Sequence, residues 1–314
     1  MSVNPAVGKE CGPGNANAPV ITAYVNRKTH LGDLQIHRAL PIRERRMVGP
    51  WCFLDRFGPI AFGKEKPMNV PPHPHIGLQT VSWLMEGEVL HTDSLEYQAI
   101  VRPGGVNVMT AGKGIAHAEE TPVENGGSLS GVQLWVALPD EFRNTDPSFT
   151  NTNQVPTLES KAGIIQLFAG RLEGATSPAS YFSEILGIEV QIHAHQTIIL
   201  PLQRHFEHAA LLLHGNCSVE EQPLDANALY YLGACRESLS ISSQDGCRIL
   251  LIGGPPFPEK ILMWWNFVAR TPEEISQART DWETHSRFGK VSGTRLERLS
   301  APDLARFAQP NPAS

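Results

Sequence analysis

The chain has 314 residues, of which 41% are hydrophobic and 18% charged. A charged share below the ~25% of an average soluble chain, with a length near two domains of ~150 residues each, excludes wholesale disorder and leaves room for sizeable cores. The net charge of -6 argues against direct, non-specific nucleic-acid binding, which needs clustered cations facing phosphates.

Residues 1–19, rich in Gly, Pro, Asn and Ala, read as a mobile tail. No apolar run follows a basic start there, so no secretory signal is expected, and no stretch of ~18 apolar residues predicts a membrane span. The cysteines, Cys11, Cys52, Cys217, Cys235 and Cys247, are odd in number and widely spaced, with no CxxC pair. They suggest a reducing, cytoplasmic setting without a disulfide framework. The densest basic stretch, His37–Arg46, sets Arg38, Arg43, Arg45 and Arg46 against Glu44. It reads as a solvated face, with a contact for a protein partner as the alternative.

From Ile21 onward short apolar runs alternate with turn signals. Met47–Leu54 precedes Gly58-Pro59, Gln79–Leu84 precedes Glu86-Gly87, Val106–Met109 precedes Ala111-Gly112, and Val132–Leu138 precedes Pro139. That rhythm predicts an all-β sandwich or barrel over 20–145. Residues 146–160 are polar and breaker-rich and read as a linker region. The runs at Ile164–Phe168, Glu189–His193, Ile198–Leu202, Ala209–His214, Leu229–Leu232 and Arg248–Ile252 predict a second unit of the same build over 161–256. In 257–314 a further strand gives way to helical period. Thr271-Pro272-Glu273-Glu274 is a capping box with Pro at the first helical position, and Ile275, Ala278 and Trp282 share a face to about Ser286. A second short helix is expected from Ser300-Ala301-Pro302-Asp303, with Leu304 and Phe307 on one side.

The chemistry-bearing pattern is a pair of pairs. His73 and His75 stand at i and i+2, as do His117 and Glu119. On strands each pair shares one face, so two strands offer three imidazoles and one carboxylate to one interior. No Cys lies in these segments, and calcium or magnesium would want nearly all-oxygen ligands. Imidazole with carboxylate suits Fe(II), Mn, Ni, Cu or Zn.

Several neighbours have two readings. His91 and Asp93 form a surface hydrogen-bonded pair or a support behind the metal. Gln133 and Trp135 share strand parity, and Trp135 is core or a wall of a pocket above the metal. Met109 is core filler ahead of a soft ligand. Trp264, Trp265 and Phe267 are expected in an inter-domain core. His193-Ala194-His195 is another HxH, but no matching pair follows it, so it reads as turn or surface.

His73-Pro74-His75-Ile76-Gly77, Leu84-Met85-Glu86-Gly87, Thr110–Glu119, Gln133-Leu134-Trp135-Val136 and Met263-Trp264-Trp265-Asn266-Phe267-Val268 together resemble the pirin family. The resemblance covers roughly residues 22–286. It implies two jelly-roll-like cupin β-barrels in tandem, with iron, as Fe(II), in the first, held by His73, His75, His117 and Glu119. Gln79 stands where ordinary cupins often carry a ligand Glu, leaving Glu119 as the only anionic ligand. Ile76 and Arg56 also depart from common pirin residues, which bears on the pocket rim. Gln79, Met109, Gln133 and Trp135 are the candidate pocket residues. The implied activity is quercetin 2,3-dioxygenase cleavage of a flavonol, with Glu119 as general base. The alternative is an iron-binding regulator that contacts transcription factors or metabolic enzymes, with the Arg38–Arg46 stretch as its surface. No membrane role is expected.

Overall fold

The structure is a computed structural model that describes residues 2–3, 20–31, 34–62, 69–122 and 127–304. Among the described residues it is almost wholly β, with one α-helix. In the first module, a seven-stranded sheet runs in the order Ser148–Thr152, Val106–Thr110, Leu78–Glu86, Gly127–Ala137, Trp51–Phe62, Leu34–Leu40, Arg27–Leu31. A four-stranded sheet faces it, in the order Asn69–His75, Ile115–Glu120, Val89–Asp93, Gln98–Val101. Ile36, Phe57 and Leu84 of the large sheet pack on Val89 and Val101 of the small one. The second module repeats this build, with a large sheet around Leu186–Ile192, Cys247–Gly254 and Glu207–Gly215 and a small one led by Gln196–Pro201 and Ser238–Ser243.

The expected β-barrels are not formed. Each sheet ends in two distinct edge strands, and no sheet closes on itself among the described residues. The cupin-like modules are open sheets packed face to face, joined through side chains rather than by a continuous ladder.

Alternation on the large sheets explains how the modules join. In Gly127–Ala137, Val132, Leu134 and Val136 point one way and Gln133 and Trp135 the other. The first set, with Trp51, Val81 and Trp83, packs on Phe168, Leu211, Leu229, Leu250 and Ile252 of the second module. Trp83 stacks on Phe168 with centroids 5.1 Å apart, and its indole donates to the buried Glu189 at 2.8 Å. Trp264, Trp265 and Phe267 are therefore not the inter-domain core. They pack with Ile76, Ala116 and the helix against the first module.

The segment read as a linker contains the strands Ser148–Thr152 and Thr157–Glu159, one on the large sheet of each module. The strand Thr22–Val25 pairs with Ala228–Gly233 of the second module, although it precedes every strand of the first sheet. The helix spans Pro272–Glu283, with the Thr271 hydroxyl accepting from the Glu274 N–H at 3.3 Å. Ile275, Ala278 and Trp282 are its buried face. The second expected helix shows no α-turn up to Leu304, and Phe307 lies outside the described residues, as does nearly all of the expected tail 1–19. Cys52, Cys217 and Cys247 are free thiols. Cys235 is disulfide-bonded.

Candidate metal centre

The site is built on the small sheet of the first module. Asn69–His75 and Ile115–Glu120 pair antiparallel, with His117 opposite His73 and Ile115 opposite His75. Val89–Asp93 flanks the other side, with Asp93 opposite His117 and His91 opposite Glu119. Directly opposed residues share a face, so the four strand-spaced groups and the His91/Asp93 pair all turn inward.

Gly77 ends the first of these strands in the left-handed region, at φ +69°, and a Cβ there would sit 2.0 Å from the Val268 carbonyl oxygen. That close approach brings the C-terminal segment alongside. The Val268 N–H donates to Ile76 O at 3.1 Å.

His73, His75 and His117 are all buried. One ring nitrogen from each lies within 4.8 Å of the other two, and the Nε2 atoms of His75 and His117 are 3.1 Å apart. Burial drives the His73 pKa down to about 4. It holds those of His75 and His117 well below the ordinary imidazole value, with the neighbouring imidazoles adding to the effect. Neutral imidazole is the ligand form. Three neutral rings whose nitrogens converge in a buried spot fit a divalent transition-metal ion.

Glu119 lies half-buried beside them, outside the three-histidine cluster. Burial pushes its carboxyl up to about 7 against the opposing effect of a Ser82 hydrogen bond.

The histidines form the floor of a cavity of about 420 Å³ that Glu119, Gln133 and Trp135 also line. Phe53 and Trp135 stack with centroids 4.1 Å apart and planes 14° from parallel, and Trp135 meets His75 edge-on at 5.3 Å. Gln133 accepts from the Ser82 hydroxyl at 2.9 Å.

Gln79 and Met109 do not line the cavity, which corrects their place among the candidate pocket residues. Thr80 and Ser82 face the cavity, so by strand alternation Gln79 faces away. Its amide donates to Thr110 Oγ1 at 3.0 Å and to the Ser180 carbonyl at 3.1 Å. Met109 is buried among Met47, Leu78 and Ile115.

Arg38, expected on a solvated basic face, lines the cavity. It makes a two-pronged pair with the buried Asp55 at 2.8 and 2.7 Å and lies 4.5 Å from the Phe53 ring centroid. Arg45 packs 3.7 Å from the Tyr231 ring centroid and 3.9 Å from the buried Glu207. Arg56, at the departure from the usual pirin residue, donates to the Leu212 carbonyl at 2.9 Å across the modules. Arg38, Arg45 and Arg56 hold the fold together.

His91 and Asp93 are fully buried, not a surface pair. Asp55, Ser82, Trp264 and Trp265 line the cavity without having been singled out for it. Ser82 shares strand parity with Thr80, which also lines the cavity. The tryptophans arrive from a segment almost two hundred residues away (His75 and Asn266 are 191 apart). His193 and His195 are exposed in a turn.

The pirin profile matches residues 33–136 and the pirin C-terminal cupin domain profile matches residues 187–289. A relative from Pseudomonas aeruginosa is 42% identical over 274 residues, 87% of each chain. A pirin-like protein from Caulobacter vibrioides is 38% identical over 88% of this chain and 94% of its own. The crystal structure of a quercetin 2,3-dioxygenase from Acinetobacter baumannii superposes with a TM-score of 0.87 at 39% identity, covering 90% of this chain and 95% of that one. The chain belongs to the pirin family, a class of proteins with two cupin domains.

Proposed function

We propose that this chain is an oxygenase of the quercetin 2,3-dioxygenase type, acting with Fe(II) held by His73, His75 and His117 and completed by Glu119. The observation that carries the reading is the placement of three inward-facing neutral imidazoles at the floor of a cavity walled by stacked aromatic rings. The similarity to a protein named as a quercetin 2,3-dioxygenase supports it. Nitrogen ligands with a single carboxylate suit Fe(II) among the divalent transition metals. The volume falls within the ~300–1,000 Å³ of small-molecule sites.

A bound iron supplies the redox centre at which dioxygen and an electron-rich flavonol can react. The chain supplies the rest. The Phe53–Trp135 stack offers a flat apolar surface for a polyphenol ring. Glu119, a carboxylate that lines the cavity, takes the proton from the flavonol 3-hydroxyl. The buried floor excludes water from the anion so formed. Addition of dioxygen across the activated ring and loss of carbon monoxide give the ring-opened ester.

Iron-loaded protein mixed anaerobically with quercetin and then exposed to oxygen tests this. The expected result is oxygen uptake, carbon monoxide release and loss of the flavonol absorbance, all absent from metal-free protein. Unchanged absorbance in iron-loaded protein overturns the reading for this substrate.

A further inference from the structure

Two of the three converging histidines are oriented in the same way. His73 Nδ1 faces the Pro71 carbonyl at 2.8 Å, and His75 Nδ1 faces the Asn266 carbonyl at 3.1 Å. A carbonyl only accepts, so each ring carries its proton on Nδ1 and presents a bare Nε2.

His117 is held differently. Its Nδ1 lies 3.3 Å from Nδ1 of His91. An imidazole nitrogen either donates or accepts, so this contact alone leaves the His117 tautomer open. What lies behind His91 decides it. His91 Nε2 is 3.1 Å from Asp93 Oδ2. The other carboxylate oxygen, Oδ1, accepts from the backbone N–H groups of Leu95 at 2.8 Å and Tyr97 at 3.1 Å. Phe149 stacks on the His91 ring at 4.1 Å and 9° and fixes its plane.

We infer that Asp93 and His91 are positioning residues that set the tautomer of His117 and so make its Nε2 a metal ligand. The inference rests on the reading of the triad as a metal site. The carboxylate accepts only, so the His91 proton sits on Nε2. With its one proton on Nε2, His91 offers a lone pair at Nδ1. His117 Nδ1–H donates to that lone pair, and His117 Nε2 is left bare toward His75. The chain of two hydrogen bonds does for His117 what a backbone carbonyl does for each of the other two rings.

Asp93→Asn tests the relay. Asn keeps an Oδ1 acceptor for Leu95 and Tyr97 but puts an N–H₂ donor against His91 Nε2. The proton of His91 must then move to Nδ1, and that of His117 to Nε2, the nitrogen the metal needs. Two readouts are used on the full chain: histidine ¹⁵N NMR of metal-free protein, and Zn(II) affinity by chelator competition. In the wild type the His117 proton is expected on Nδ1. In Asp93→Asn it is expected on Nε2, with Zn(II) affinity lower by ~10–100-fold.

His91→Phe keeps the stack on Phe149 and breaks the relay. It is expected to bind Zn(II) more tightly than Asp93→Asn does. The double variant is expected to match His91→Phe, because the Asn has no ring to act through. An unchanged His117 tautomer in Asp93→Asn overturns the relay, as do losses that simply add in the double variant. A wild type that shows the Nδ1 proton yet takes up no Zn(II) overturns the metal-site reading itself.

Discussion

His75 and His117 stand 42 residues apart in the chain and present their Nε2 atoms to each other at 3.1 Å. Two lone pairs facing at this distance repel unless a cation or a proton is shared. The pair is held by the ladder between Asn69–His75 and Ile115–Glu120 and by the carbonyl behind His75.

Metal should therefore stabilise the fold. Adding a divalent ion at about 100 times its Kd contributes ~2.7 kcal/mol if only the folded state binds. The melting temperature should rise by several degrees, and a chelator should reverse the rise. His75→Ala should lose the shift while the metal-free protein still melts cooperatively. A shift of equal size in His75→Ala would place the metal elsewhere.

Glu119→Gln tests the base. The amide occupies the same space beside Ser82 but cannot take a proton. Turnover of quercetin should fall by at least ~100-fold, the lower end of what general-base removal costs. Metal retention should weaken less than in His117→Ala. Wild-type turnover in Glu119→Gln would remove Glu119 from the proton-transfer step.

Gly77→Ala should damage the centre from outside it. The new Cβ would meet the Val268 carbonyl oxygen at 2.0 Å in a backbone conformation that disfavours side chains. We expect a loss of ~2–4 kcal/mol, read by denaturant unfolding, and weaker metal binding because the segment that carries the Asn266 carbonyl is pushed away. Stability within ~0.5 kcal/mol of the wild type would show that the two segments separate freely.

His208, in the second module, should give a pH dependence unrelated to the metal. It is buried, and neither ring nitrogen has a hydrogen-bond partner among the described residues. Burial lowers its pKa to about 4, with Arg236 and His205 adding to the effect. The unfolded state, with an ordinary imidazole near 6.5, binds the proton first. Stability from this group is thus fully present above pH ~6.5 and is lost as pH falls toward 4, by up to ~3 kcal/mol. His208→Leu should flatten that part of the stability profile relative to wild type, and an unchanged profile would assign the slope to other groups.

The two strand-spaced pairs, His73/His75 and His117/Glu119, were legible because a period of two puts i and i+2 on one face whatever the surrounding fold. The capping box at Thr271 was legible for a similar local reason, since its hydrogen bonds span three residues. Parity also separates Trp135 from Val136, but it does not say which face is cavity. Gln79 shows the consequence. It is adjacent to the site in sequence and polar, yet alternation turns it toward the second module.

By itself the sequence determined the β character, the turns and the four strand-spaced side chains, three His and one Glu, because these follow from short-range periodicity and side-chain chemistry. Tertiary structure alone decided that the sheets stay open, that Arg38 and Arg45 turn inward, and that Asp93 stands behind His91 and His91 behind His117. It also brought Asn266 to His75 from 191 residues away. Such contacts depend on which strand edges pair and which faces are covered. That outcome is set by burial summed over both modules, and no local run of residues records it.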